Sequence, residues 1–427
     1  MSEEKLVPKL RFTSYSNEWE SHKLGDILTF YSTNSFSREK LNYESGNVKN
    51  IHYGDIHTKF PTILSISGNK DVPFINADID LSKYKDDQYL QEGDLIIADA
   101  SEDYSDIGKA IEVKDINDEK VLAGLHTILA RDEKNITING FKGYLFLTED
   151  LKTNIKRIAN GISVLGISKN NLSKLTVNIP NKNEQQKIVD FISSIDKKIE
   201  LLEDKHTYYQ DFKKYLMQQI FAQKLRFNTS SSYSNYKLKD IVTKFSTGLN
   251  PRKNFKLNEG GENFYVTIKN FQNGILNLDD KCDKIDDNAL KLINKRSDLK
   301  KDDLIFASIG RVGEVYLIKN NPINWNINES VFSLRPNKQF IEPKFLYYLL
   351  NSTKIQNYFE SNITGSTFKS IKMKDLKNTP VTIPDSFELQ NKIIQFLSSV
   401  DSKIVLVDNE LNNIQKFKKG LLQQMFV

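Results

Sequence analysis

Asp99, followed by Glu112-Val-Lys114, has the carboxylate, carboxylate, lysine order that metal-assisted phosphodiester cleavage uses. The pattern is degenerate in a chain of which 27% is charged, and a related stretch later in the chain carries Ser308 and Glu314-Val-Tyr316 in its place. A solvated hairpin is therefore the weightier reading, and a stand-alone metal-dependent DNA nuclease the alternative. Other catalytic signatures are missing: there is no Asn or Asp followed by two prolines and an aromatic residue, and no GxxxxGK[ST] loop to cradle phosphates. A single cysteine, Cys282, rules out a disulfide framework and a cysteine-based metal site, and the five histidines argue against a histidine cluster. No catalytic or metal-ligating residue is assigned.

Binding chemistry is better represented. Only nine of the 60 basic residues are arginine, so an arginine in a loop is a sharper candidate for reading guanine than any one lysine. Ile51 to Lys59 packs His52, Tyr53, Asp55, His57 and Lys59 into one stretch, with donors and acceptors suited to base edges; a strand with a polar wet face fits it equally. In Ser308-Ile-Gly-Arg-Val-Gly313 the glycines let a loop approach a groove, where Arg311 can make two hydrogen bonds to guanine. Ser163, Lys169 and Asn170 sit at places matched by Ser366, Thr367, Lys369, Lys372 and Lys374, and a shared position points to phosphate contact. Lys253, Lys269 and Asn270 complete the candidates for DNA binding.

The elements that must position these loops occur twice. Lys187 to Phe221 returns as Lys392 to Phe426, each residue 205 positions on, with FISSIDKKIELL against FLSSVDSKIVLV and FKKYLMQQIF against FKKGLLQQMF. In the second copy Ile393, Leu397, Val400, Ile404, Val407, Leu411, Ile414, Leu421 and Met425 recur at steps of four and three, with Lys418 breaking the seam. The first copy follows with Ile188, Ile192, Ile195, Ile199, Leu202, Tyr209, Leu216 and Ile220, and has His206 and Lys213 as polar seam positions. The spacing predicts two helices of about 50 Å pairing as a coiled coil. Lys213 and Lys418 hold the same place in both, where one polar residue fixes register at some cost in stability.

The rest of the chain repeats too. Lys9-Leu-Arg-Phe12 returns as Lys224-Leu-Arg-Phe227, Gly93-Asp-Leu-Ile-Ile-Ala98 as Asp302-Asp-Leu-Ile-Phe-Ala307, and Gly161 to Pro180 as Gly365 to Pro384. Residues 34–92 and 250–300 share almost nothing, which suggests one scaffold with two different faces. Short β-rich runs and a few helices predict mixed α/β globules, with the serine-rich NTSSSYSN as the linker between repeats. Because each globule begins at one helix's end and delivers the chain to the next helix's start, paired helices must run antiparallel about a pseudo-twofold axis. The fold class is therefore α+β: globules over 1–180 and 224–384, long helices over 181–223 and 385–427.

Composition agrees with this division. The 427 residues exceed one ordinary domain, and 39% hydrophobic content supports real cores. No run approaches the roughly 18 apolar residues of a membrane span, and the opening MSEEKLVPKLRF lacks the core of a secretion signal. With one cysteine the expected home is a reducing cytoplasm, without a membrane partner. A net charge of +5 is compatible with nucleic acid.

The paired proline, Glu184-Gln-Gln-Lys-Ile188 against Glu388-Leu-Gln-Asn-Lys-Ile393, and the SSID and SSVD helices ending in LMQQIF and LLQQMF carry a resemblance over the whole chain. It resembles the DNA specificity subunit of Type I restriction-modification systems. The resemblance implies two target recognition domains, near 13–180 and 228–384, each reading one half of a bipartite asymmetric site in double-stranded DNA. It implies that the long helices act as spacer and as dock for two methyltransferase subunits, and that motor-nuclease subunits join the assembly. S-adenosylmethionine, ATP and magnesium would serve those partners, and this chain would be a non-catalytic reader without a cofactor of its own. Leu389 stands where the first copy has Glu184.

Overall fold

Leu95-Ile-Ile-Ala98 and Leu304-Ile-Phe-Ala307 are buried at every position. A strand with both faces covered needs such an unbroken apolar run. In the computed structural model, which describes residues 5–227, 232–252, 254–258, 260–365 and 369–427, each forms an inner strand of a sheet. The chain divides into two compact units: Met1–Glu203 with Glu410–Val427, and Asp204–Asn409.

In unit 1 the five-stranded sheet runs Thr29–Tyr31, Thr127–Arg131, Leu95–Ala98, Ala110–Lys114, Ile63–Ser65. All neighbours are antiparallel except the last pair. Alternate residues of its strands enter different cores. Leu95, Ile97, Ile128 and Ala130 face the long helices, whereas Ile96, Ala98, Leu129, Ile111 and Val113 join a second core with Ile51, Ile56 and Val121. Ile51 and Val121 come from a four-stranded sheet in which Val48–Ile51 and Lys120–Ala123 are parallel. Unit 2 repeats the plan. Its sheet runs Val242–Thr247, Val331–Pro336, Leu304–Ala307, Val315–Leu317, and a smaller sheet pairs Asn263–Val266 in parallel with Trp325–Ile327. A two-stranded ribbon, Glu20–Lys23 with Thr176–Ile179, recurs as Tyr233–Lys237 with Pro380–Pro384.

The long helices span Lys182–Phe221 and Phe387–Met425. Within unit 1, Ile188, Ile192 and Ile195 of the first pack with Leu421, Leu422, Met425 and Phe426 at the end of the second. Within unit 2 the roles reverse: Leu216, Met217 and Ile220 pack with Leu389, Ile393, Leu397 and Val400. In both units the start of one helix lies against the end of the other, so the packed segments are antiparallel. Leu202 and Val407 are buried, and Ile199, Ile404 and Ile414 are partly buried against the cores. Tyr209 takes Lys403 over its ring at 5.8 Å, and Leu411 is half-buried. Met217, Leu422, Phe426 and Leu389 lie off the four-three seam because the helix ends enter globule cores. Phe426 and Phe221 each meet a globule phenylalanine, Phe141 and Phe345, at 5.6 Å.

The seam lysines are satisfied by partners from two other elements. Lys418 pairs with Asp196, which also accepts from the Tyr144 hydroxyl at 2.9 Å. Lys213 pairs with Asp401 at 2.6 Å, and Asp401 accepts from Tyr348 at 2.5 Å. The aspartates are the final residues of SSID and SSVD, so the repeated motif supplies the counter-ion that each lysine needs. Burial and the adjacent carboxylates push the Tyr144 and Tyr348 hydroxyls well above the ordinary tyrosine range.

Gln185 and Gln390 do the same for the helix starts. Gln185 accepts from Ile138 N at 2.9 Å and donates to Pro180 O at 2.9 Å; Gln390 accepts from Glu342 N at 2.9 Å and donates to Pro384 O at 3.1 Å. Glu184 takes a fork from Arg11, at 2.7 and 2.8 Å. Where Leu389 replaces it, Arg226, the counterpart of Arg11, turns instead to Gln223.

Asp196→Ala strands Lys418 and the buried Tyr144 hydroxyl, and is expected to cost about 2–3 kcal/mol in urea unfolding. Adding Lys418→Met should restore much of that loss; a double variant no more stable than the single one would show that the pairing is not the cause.

Candidate nucleic-acid interface

Three loops meet at the same end of the main sheet in each unit, and one residue joins them. In unit 1 it is Asp99, just past the inner strand. Its N–H donates to His126 O at 3.1 Å and its carbonyl accepts from Ile167 N at 2.9 Å. In unit 2 it is Ser308, whose N–H donates to Ser330 O at 3.1 Å and whose carbonyl accepts from Ile371 N at 2.9 Å. The junction is thus built by backbone and is alike in both units, while its side chains differ. Short bridges extend it: Leu165 and Gly166 pair with Ser101 and Ala100, and Ser370 pairs with Ile309.

The unit 1 face gathers histidines. Tyr53 has His52, His57 and His126 around its ring, with centroids 4.7, 5.8 and 5.3 Å away. His52 is 7% exposed, and its Nδ1 accepts from Gly54 N at 3.1 Å, capping the helix Tyr53–Thr58. Burial first, then the charge of Arg38, holds it below the usual histidine range. Asp55 is buried and takes both terminal nitrogens of Arg38, at 2.7 and 3.0 Å. His57 Nε2 lies 3.1 Å from Ala100 O, and its buried Nδ1 meets no partner among the described residues. Lys59 is exposed and contacts the Tyr43 hydroxyl at 3.1 Å. Lys169 donates to Tyr31 O at 2.6 Å, and burial pushes its ammonium down while Asp99 opposes that. Ser163 and Asn170 are exposed, and Ile162 beside Ser163 is fully exposed. The Ile51 to Lys59 stretch is thus a strand end, a cap and a short helix, and no longer a strand with one wet face.

In unit 2, Arg311 is exposed but its guanidinium is engaged. Nη1 donates to Gln272 Oε1 at 2.5 Å, and Nη2 to Ile268 O at 2.5 Å and Phe271 O at 3.0 Å. Asn270 is 9% exposed, and its Oδ1 accepts from Thr267 N at 2.8 Å. Lys269, Lys369, Lys372 and Lys374 are exposed, and Lys369 O accepts from Gly310 N at 2.8 Å. The loops carrying Lys269, Arg311 and Lys369 therefore meet. Lys253, Ser366 and Thr367 lie outside the described residues.

Sequence reading passed over His126 and the junction role of Asp99. The signal was the alignment of Asp99 with Ser308; nothing in the residue types around His126 marked it. It also passed over a buried fork present in both units. Arg131 gives Asp94 two hydrogen bonds, at 2.8 and 2.7 Å, and Arg335 gives Asp303 two, at 2.9 and 2.8 Å. Two of the nine arginines are structural on this account.

The nuclease alternative does not survive. Glu112 is 0% exposed; Lys142 takes its Oε1 at 2.8 Å, and Gly140 N and Gly143 N donate to its two oxygens at 2.7 Å each. Lys114 is exposed at the strand's end, 3.9 Å from Asp115. The triad therefore does not converge, and among the described residues no group of His, Cys, Asp and Glu has the geometry to hold a metal ion. In unit 2 the strand register sets Leu317, and not the Glu314 expected from the sequence, opposite Leu304 as Glu112 is opposite Leu95. Leu317 and Leu346, which stands for Lys142, join one apolar core.

The family model described as Type I restriction modification DNA specificity domain matches residues 16–207 and again 230–416. The chain belongs to this Type I specificity family. It is 27% identical over 135 residues to the Type I restriction enzyme EcoBI specificity subunit of Escherichia coli, covering 31% of this chain and 28% of that one. It is 30% identical over 128 residues to the putative type I restriction enzyme MjaX specificity subunit of Methanocaldococcus jannaschii, covering 29% and 30%. The aligned stretches thus span under a third of each curated relative. The S subunit of a Type I restriction-modification system from M. genitalium shares the fold, with a TM-score of 0.54 at 17% identity over 99% of both chains. A chain from a study of complex assembly in the type I R-M system gives 0.56 at 15%, over 95% and 96%. Among the described residues no helix is long and apolar enough to cross a membrane.

Lys142→Met leaves Glu112 buried without its counter-ion and is expected to cost about 3–5 kcal/mol. Glu112→Leu with Lys142→Leu removes both charges but leaves Gly140 N and Gly143 N without their acceptor, so it should lie between Lys142→Met and wild type in denaturant unfolding. A double variant less stable than Lys142→Met would show that the lone charge is not the main cost.

Proposed function

We propose that this chain is the DNA-reading subunit of a Type I restriction-modification complex, with the three-loop face of each unit reading one half of a bipartite site in double-stranded DNA. The observation that carries this is the junction at Asp99 and Ser308, alike in backbone but with Asp99 and His126 in one unit where Ser308 and Ser330 stand in the other. A scaffold repeated with unlike tips suits an asymmetric target, because base contacts specify while backbone contacts only position. Residues 1–180 and 224–384 supply the two faces. The helical stretches 181–223 and 385–427 set the unread spacer and dock two methyltransferase subunits, through which motor-nuclease subunits join. The sealed Glu112 supports a non-catalytic role for the chain itself. S-adenosylmethionine, ATP and magnesium belong to the partners in this reading.

A partner methyltransferase should methylate specific sites only when this chain is present; the same sites methylated without it would refute the assignment. Exchanging residues 13–180 for those of a relative should change one half of the recognised site, and a change in both halves would refute modular reading. Because the nitrogens of Arg311 tie its loop to the neighbouring 268–272 loop, Arg311→Ala is expected to weaken binding by about 1–3 kcal/mol across all sequences. A loss confined to one base pair would instead make it a guanine reader.

A further inference from the structure

His126 is the one residue of the unit 1 junction whose side chain is both exposed and held. Its imidazole is 51% exposed, yet three groups fix it. Its carbonyl binds Asp99 N at 3.1 Å, its ring stands edge-to-face on Tyr53 at 5.3 Å and 80°, and Nδ1 lies 3.4 Å from Asp99 Oδ1. The backbone at His126 is left-handed, with φ 54°, which turns the side chain out of the path of the strand Thr127–Arg131. The ordinary explanation, a histidine on a surface turn, accounts for the exposure. It gives no reason for a carboxylate behind the ring at the point where three loops are tied together.

Unit 2 shows what the shared backbone requires there. Ser308 and Ser330 occupy the places of Asp99 and His126, and the Ser308 hydroxyl donates to Ser330 O at 2.8 Å. Two serines suffice to build the junction, so the aspartate and histidine of unit 1 are additions to it. An exposed ring on a rigid mount is the arrangement a recognition residue needs, since a group already ordered loses little freedom on binding.

We propose that His126, set by Asp99, reads a base edge in the half-site of unit 1 by accepting a hydrogen bond from the exocyclic amino group of adenine or cytosine. This rests on the DNA-reading function proposed above. The Asp99 carboxylate, 3.4 Å from Nδ1, favours the tautomer with its proton there, which leaves the Nε2 lone pair of the neutral, half-exposed ring as an acceptor. In the major groove that lone pair complements adenine N6 or cytosine N4, and it has no partner on guanine or thymine. Asp99 is a positioning residue: it selects the tautomer and does not itself touch DNA.

The test assembles the full chain with its methyltransferase and maps methylated positions on DNA randomised across the site, for wild type, His126→Ala and Asp99→Asn. With His126→Ala, preference at one base pair of one half should fall roughly tenfold, with the other half unchanged as the internal control for folding. With Asp99→Asn, the carboxamide can donate to Nδ1 and turn Nε2–H outward. Preference at that same base pair should then move from adenine or cytosine to guanine or thymine, a shift that a merely structural role would not produce. An unchanged motif in both variants, or a loss spread evenly over all sequences, would overturn the assignment of His126. A wild-type assembly that methylates without sequence preference would overturn the DNA-reading function itself.

Discussion

The burial of Leu421, Leu422, Met425 and Phe426 among Ile188, Ile192, Trp19 and Phe141 is the contact on which unit 1 depends. Each such side chain contributes about 1.5–3 kcal/mol when fully removed from water. None of the four belongs to the stretch of sequence that builds the rest of that unit. In unit 2 the matching contacts come from Leu216, Met217 and Ile220 at the end of the first long helix, which open that unit's own stretch of chain. Unit 1 is therefore not a continuous segment that could be cut out with its core intact, whereas unit 2, Asp204–Asn409, carries both helix parts in one stretch. The chain termini are drawn into this arrangement as well: Leu10 N donates to Gln424 O at 2.8 Å, and Asn178 donates to Val427 O at 3.3 Å.

Apolar burial is forgiving of small slips in register, and the polar groups of the seam are not. Lys418 with Asp196 and Tyr144, and Lys213 with Asp401 and Tyr348, are satisfied in one alignment only. Gln185 and Gln390 fix where each helix starts against its own globule. Arg131 with Asp94, and Arg335 with Asp303, tie the acidic turn to the sheet. Where the two units differ inside, they do so in matched sets. Glu112 and Lys142 give way together to Leu317 and Leu346, and the loss of Glu184 leaves Arg226 to find a local partner. Compensation in pairs is what a buried charge demands, since one left alone is costly.

The long helices were legible because a seam period is local: the side chains at steps of four and three face one way whatever the tertiary context. The repeat was legible for the same reason, and it carried the antiparallel pairing that each unit shows. The forks were not, because Asp94 stands in the turn before one strand and Arg131 at the end of another, and nothing at either position names its partner. The helix-end residues Met217, Leu422 and Phe426 break the seam pattern because their environment is a globule core and no longer a two-stranded coil. Residues in the unshared loops were the hardest to place. His52 and Asp55 have types suited to base edges, yet the fold uses them as a helix cap and a buried counter-ion, while His126 showed only once Asp99 and Tyr53 were seen beside it.

A backbone junction kept alike in both units, with unlike side chains around it, links the fold to the proposed reading of a two-part target. The most direct measurement is single-molecule sequencing of methylated positions in DNA exposed to this chain and its methyltransferase. The account predicts one motif in two unequal halves separated by a gap of fixed length. A continuous motif, or one whose halves are the same sequence in inverted order, would contradict it.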